Sequence, residues 1–220
     1  MPSEYNKQQR KQLELYFRCL SSVCTDSVMG YHYIPFGFPF TDRFLRRSSM
    51  KKAFSAWSVT NKESLLSRIH WLLEDGLREE YKKLHMSLAA RNEVSRKRYV
   101  ESSVDHPDHA KVVIVNAFLN QFPSGEIAAF GGAWAIYMCN MGIAYGYLTK
   151  EEAWGMKLKA AHHLQNCYKS WEDYLAAFAA GNSYFASDSE MKMQAHITSR
   201  ASTLLGSSTL AMDKAKWGLA

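Results

Sequence analysis

Two adjacent imidazoles, His162 and His163, follow a pair of adjacent carboxylates, Glu151 and Glu152. Imidazole and carboxylate together are the minimum for general acid–base chemistry near neutral pH. These four residues are therefore the catalytic set to expect if the chain is an enzyme, a hydrolase or a toxin domain. Adjacent histidines on a helix point to different faces, so they cannot share a metal without ligands from another element. The plainer reading is one ring packed and one exposed. His106, Asp108 and His109 in the run HPDH form a second cluster at i,i+3 spacing. Zinc needs three or four ligands and no HExxH occurs, so HPDH reads as a polar loop with a helix cap, and no metal is expected. Cys167 lies one helical turn after His163, close enough to touch it along one face. The ordinary outcome there is a buried thiol beside a surface imidazole. G-x-S-x-G, P-loop and G-x-G-x-x-G patterns are missing from the sequence, and Ser170 has a capping role. No cofactor is expected.

Charge offers a different kind of chemistry. The formal net charge is +6, and the first half of the chain carries it: residues 1–105 hold 18 Lys+Arg against 12 Asp+Glu, and residues 106–220 hold 9 against 9. The clusters include Arg43-Arg46-Arg47 and Arg96-Lys97-Arg98. Such a surface favours an acidic partner, whether protein, nucleic acid or anionic lipid, although a set of solvated helix faces gives the same composition. The segment GYHYIPFGFPFTDR at 29–42 adds Tyr31, Tyr33, Phe36 and Phe38 as candidate binding aromatics, since exposed aromatic clusters mark interfaces. The run RKRY at 96–99 has one aromatic neighbour and no recognised nucleic-acid motif.

These groups must be positioned by helices. With 47% apolar and 22% charged residues, the 220-residue chain suits one globular domain with a short appendage. Leu13, Tyr16, Phe17, Leu20 and Cys24 recur at helical spacing within 4–28. Pro35, Gly37 and Pro39 then predict an extended, aromatic-rich Pro/Gly connector over 29–42. Thr60 or Asn61 caps a helix with the stripe Leu65, Leu66, Ile69, Leu72, Leu73, closing at Gly76. The charged run 77–105 continues as one long helix. Residues 108–122 make another, built on Val112, Val113, Val115, Phe118 and Leu119 and ended by Pro123. Ser124 caps a long apolar helix reaching about Tyr145. Its Gly, Asn and Tyr content suits a buried core helix better than a membrane span.

Thr149-x-x-Glu152 is a capping box. It opens a helix with inner stripe Trp154, Leu158, Ala161, Leu164 and Tyr168. Ser170 with Asp173 opens the next, which stops at Gly181-Asn182. A helix over 188–204 and a Ser-rich tail with a last turn at 210–217 follow. Trp57, Trp71, Trp134, Trp154 and Trp171 fall where core anchors belong. No strand pattern and no fixed-period repeat occur. Cys19, Cys24, Cys139 and Cys167 form no CxxC pair and read as free thiols, which fits a reducing compartment. The N-terminus lacks the apolar core of a secretory signal.

The connector GYLTKEEAW (146–154), the segment YKSWEDYLAAFAAG (168–181) and the earlier WSVTNKESLLSRIHWLLEDG (57–76) stand in an order that resembles the uncharacterised bacterial family catalogued as domain of unknown function 1266. The resemblance covers roughly residues 53–186. It implies an all-α, cytoplasmic bacterial domain and attaches no activity. It also implies a Trp-Asp-x-x-Arg motif on the helix before the Gly-Tyr turn. At those positions this chain reads Phe130, Gly131 and Trp134, and no Asp or Arg occurs between 127 and 149.

The sequence thus predicts a single all-α domain: an N-terminal helix and connector over 1–52 packed on a helical domain over 53–205, with a tail over 206–220. The expected function is a non-enzymatic cytoplasmic module that binds a protein with an acidic surface, in one form an immunity protein of a toxin–antitoxin pair. Arg46, Arg47, Arg96, Lys97 and Arg98 are the expected contacts. The alternatives are an enzyme using His162 or His163 with Glu151 or Glu152, and nucleic-acid binding through the basic half.

Overall fold

The computed structural model describes residues 5–25, 27–38, 47–120, 126–186, 209 and 213–218. Among these residues the chain is helical and has no strand. The helices are α1 (Lys7–Ser21), α2 (Ser27–Phe36), α3 (Arg47–Ala56), α4 (Lys62–Glu74), α5 (Arg78–Ala89), α6 (Glu93–Ser102), α7 (His109–Phe118), α8 (Ala128–Tyr145), α9 (Lys150–Cys167) and α10 (Trp171–Ala186), with a 3-10 turn at Ser22–Cys24.

Helix α8 is the axle. It has no polar face, and it is buried from Ala128 through Ile136 and again at Met138, Cys139, Met141 and Gly142. A helix apolar on all sides must be covered on all sides, and α1, α4, α9 and α10 pack around it. Helix α4 comes so close that a Cβ added at Gly131 would lie 2.1 Å from the Leu72 carbonyl oxygen. The main core joins Phe17, Leu20, Trp57, Leu65, Ile69, Phe130, Leu164, Tyr174 and Phe178 around this axle. A second, smaller core joins Tyr81, Leu88, Val112, Val115, Ala180 and Tyr184, and so ties α5 and α7 to the C-terminal half of α10. None of the described helices is long and apolar enough to cross a membrane.

Three of the expected caps form, at Asn61, Thr149 and Ser170, whereas Asp108 of HPDH makes no side-chain capping bond to α7. Asn61 accepts from the Ser64 N–H, and Thr149 and Glu152 form the predicted reciprocal box. Ser170 Oγ accepts from the Asp173 N–H at 3.2 Å. Ser124 lies outside the described residues. The start of α8 is held instead by Tyr168, whose hydroxyl accepts from the Ala129 N–H at 2.9 Å and donates to the Glu126 carbonyl at 2.8 Å.

Several boundaries differ from the sequence reading. The predicted first helix is two, and α2 occupies the first part of the expected connector. Pro35 sits one residue before the end of α2. There its missing N–H removes a single bond, and the helix closes as the Gly37 N–H donates to the Tyr33 carbonyl at 2.7 Å. The charged run beyond Gly76 breaks at 90–92, where Asn92 caps α6 through the Ser95 N–H. Gly181 does not stop α10. A Cβ there would meet Phe130 Cβ at 2.6 Å, so the glycine serves close packing of α10 on α8 while the helix runs on to Ala186.

Trp57, Trp134 and Trp171 are buried, but Trp71 and Trp154 are only half-buried. On α9 the buried face is Ala153, Lys157, Ala160, Ala161 and Leu164, which is rotated from the expected stripe. Part of the C-terminal tail is docked. Trp217 Nε1 donates to the Tyr168 carbonyl at 3.0 Å, and Trp171 Nε1 donates to the Ala215 carbonyl at 2.8 Å. The segment 188–204 lies outside the described residues.

Candidate functional site

The rotated register of α9 puts a lysine on its buried face. Lys157 is 1% exposed. A buried ammonium must be neutralised and hydrogen-bonded. Its Nζ donates to Glu14 Oε1 of α1 at 2.5 Å and to Asn140 Oδ1 of α8 at 3.3 Å, and it stands 5.3 Å from the centre of the Phe17 ring. Asn140 Nδ2 donates to the Tyr33 hydroxyl at 2.7 Å. Ser21 Oγ donates to the Phe17 carbonyl at 2.8 Å, so the 2.9 Å contact between Tyr33 and Ser21 has the tyrosine as donor. The bonds therefore run in one direction, from ammonium to amide to phenol to hydroxyl to helix carbonyl. Such a chain leaves little freedom to any member. Burial raises the Tyr33 phenol well above its ordinary range, so the phenol stays a donor.

Above this network lies a cavity of about 300 Å³, lined by Glu14, Arg18, Phe36, Phe38, Asn140, Lys150 and Lys157. Three cations face it against one carboxylate. Arg18 Nε donates to the Glu14 carbonyl at 3.2 Å, which fixes the guanidinium along α1. Phe38 is held between Tyr33 and Tyr137 at ring separations of 5.0 and 5.6 Å. Phe36 at the rim is 67% exposed. The arrangement can accept an anionic group on a preorganised ammonium and amide. Among the described residues no cysteine, serine or threonine lines it, and burial pushes the nearby Cys139 thiol up to about 12.

The expected catalytic residues are not assembled. Glu152 is occupied by the Thr149 cap and by Lys62, whose Nζ lies 2.6 Å from its Oε1. His163 is further along the same helix by about 16 Å of rise. His162 is exposed. His163 Nε2 lies 3.2 Å from the Arg78 guanidinium, which has only hydrogens to offer, so the neutral ring is the acceptor. Burial, then Arg78 and Lys159, lower its pKa. The contact with Cys167 exists, at 3.8 Å from Sγ to Nε2, but burial raises that thiol, so the two do not form an ion pair. In HPDH, His106 Nδ1 accepts from the Asp108 N–H, while His109 Nδ1 meets Ser103 Oγ at 2.9 Å. Among the described residues no three His, Cys, Asp or Glu side chains are placed to share a metal ion.

The expected binding residues divide. Tyr33 is buried and supports the cavity rather than offering a surface, because its hydroxyl finds partners only inside. Phe36 and Phe38 do line the cavity. Arg47 lies over the Tyr145 ring at 4.8 Å. Lys97 and Arg98 are exposed on α6 and Arg96 is half-buried, with Glu93 and Glu101 on the same helix. Arg46 and the Tyr31 side chain lie outside the described residues. Sequence reasoning missed Glu14, Arg18, Asn140, Lys150 and Lys157. The available signal was Lys157 itself, a lysine in helical register with Ala153, Ala160, Ala161 and Leu164.

A family model described as Protein of unknown function (DUF1266) matches residues 54–217. The chain belongs to this family. No curated protein and no solved structure matches it. The DUF1266 match begins after α1 and α2, so Lys157 and Asn140 lie within the matched span while Glu14, Arg18 and Phe36 come from outside it. Its far end, at residue 217, takes in Trp217, the indole docked on Tyr168. The Phe130, Gly131 and Trp134 positions are all buried in this chain, and Gly131 has no room for an aspartate against Leu72.

Proposed function

We propose that the chain is a non-enzymatic binding module that docks an acidic protein and takes one partner carboxylate into the Lys157 cavity. The observation that supports this reading is the buried ammonium at the floor of an open, net-cationic cavity with an exposed aromatic, Phe36, at its rim. A carboxylate entering there meets donors that are already desolvated and fixed, so little ordering is lost on binding. The rim aromatic supplies the kind of anchor that protein interfaces use. Lys97, Arg98 and Arg47 contribute longer-range steering rather than contact. In a bacterial cytoplasm, an immunity protein that neutralises a toxin is one form such a module takes.

The test is fluorescence anisotropy with a labelled glutamate-rich peptide and a labelled single-stranded oligonucleotide. The peptide is expected to bind, more weakly as salt rises. Lys150→Glu and Phe36→Ala are expected to weaken it by about tenfold or more, the loss of one charge-assisted hydrogen bond or one anchor. Tighter binding of the oligonucleotide, or peptide binding indifferent to both substitutions, overturns the reading. Turnover of any substrate lost in His163→Ala replaces it with the enzyme reading.

A further inference from the structure

A second cavity, of about 490 Å³, opens between α5, α6 and α7. Its charged lining is balanced: Glu80 and Asp108 face Lys83 and Lys111. Lys111 Nζ donates to Glu80 Oε1 at 2.6 Å and stands 3.8 Å from Asp108 Oδ1. The buried Tyr184 hydroxyl donates to the same Glu80 Oε1 at 3.0 Å. Both bonds thus fall on one oxygen, and among the described residues Glu80 Oε2 accepts no hydrogen bond, so it can accept from a ligand. His106 Nδ1 accepts from the Asp108 N–H at 3.1 Å, so in the neutral ring the proton sits on Nε2, which serves as a donor. Leu84, Val112 and the ring of Tyr99 supply apolar wall, and the Arg91 guanidinium 4.2 Å from the Tyr99 centroid holds that ring in place.

We infer that this cavity binds a neutral polyhydroxylated ligand, a saccharide ring. Charge balance gives no advantage to a net anion or cation. Carboxylates beside ammonium groups suit hydroxyls, because each hydroxyl can donate to the one and accept from the other. The apolar wall and aromatic ring suit the C–H face of a sugar. A purely apolar ligand would strip water from Glu80, Asp108 and Lys83 without replacing it, which is unfavourable. The volume falls within the range of small-molecule pockets.

The test is an amide chemical-shift titration of the isotope-labelled full chain with glucose, galactose, mannose and N-acetylglucosamine. Glycerol and sodium acetate serve as controls. At least one hexose is expected to shift amides of α5 to α7 saturably, and glycerol and acetate are not. Glu80→Gln and Asp108→Asn keep the shape of the site and are expected to weaken that hexose by about tenfold, as loss of a charged acceptor does. Thermal melts of both variants confirm that the fold is retained. The inference is overturned if no hexose shifts these amides beyond glycerol, or if both variants bind as the parent does.

Discussion

Lys157 and Lys111 each reach a carboxylate at nearly the same distance, 2.5 Å to Glu14 and 2.6 Å to Glu80, yet the side chains are 1% and 14% exposed respectively. A third pair, Lys62 with Glu152, is also at 2.6 Å, and its lysine is 42% exposed. Distance alone therefore says little about what these pairs do. In the interior the cost of stripping water from an ammonium is large, and the partner must offset it. At the surface both ions remain hydrated and the pair contributes little. The two cavities inherit this difference. The Lys157 cavity carries excess positive charge on a locked network, and the Lys111 cavity carries compensated charge at the edge of a smaller core.

The largest effect should come from breaking the innermost pair. Glu14→Ala leaves the buried Lys157 ammonium with only the longer contact to Asn140; the lysine is 1% exposed but Glu14 is 39% exposed, so the expected cost is about 2–3 kcal/mol, between exposed and fully buried pairs. Chemical denaturation of the variant should show a loss of this size. A loss below about 1 kcal/mol would mean that water reaches the ammonium, and the contrast between the cavities would collapse.

Next comes Glu80→Ala. Lys111 keeps Asp108 nearby at 3.8 Å, and the Glu80 side chain is 47% exposed. The expected loss is about 1 kcal/mol, in the range for partly exposed pairs. Equal losses for Glu14→Ala and Glu80→Ala would show that burial does not separate the two sites.

The same contrast explains what was legible in the sequence. The all-α fold, the box at Thr149 and Glu152 and the apolar stripe of α1 follow from local spacing, which is one-dimensional information. Helix α8 was legible as a core helix because it has no polar face. The Lys157 site was not, since its members come from α1, α8 and α9 and meet only after those helices pack. Helical register mattered too: in a stripe centred on Trp154 and Leu158 Lys157 falls at the edge, whereas the observed face, with Ala153 and Ala160, centres on it. Gly181 misled because a glycine that permits close packing and one that ends a helix look alike in sequence. His163 and Glu152 are neighbours in sequence terms, but helical rise keeps them apart.

The smallest effect belongs to the outermost pair, and pH isolates it. Lys62 beside Glu152, together with the Thr149 N–H and hydroxyl, holds this exposed carboxyl at about 2, below its ordinary 4.5. A folded-state pKa below the unfolded value means that the unfolded chain binds more protons between the two. The stabilisation is therefore complete above about 4.5 and is lost as pH falls toward about 2. Glu152→Gln preserves the capping pattern, since glutamine can fill the same position in the box, and so removes the charge alone. The melting temperature of the parent should exceed that of Glu152→Gln by a small, constant amount above this window. The gap should close as the pH is lowered through it, because contributions from all other groups cancel in the difference. Added salt should narrow the gap at neutral pH, as it screens an exposed pair. Repeating the comparison in a Lys62→Met background sharpens the assignment. With the lysine gone the gap should shrink and most of its pH dependence should vanish, whereas an unchanged profile would place the stabilisation in the Thr149 cap and not in the ion pair.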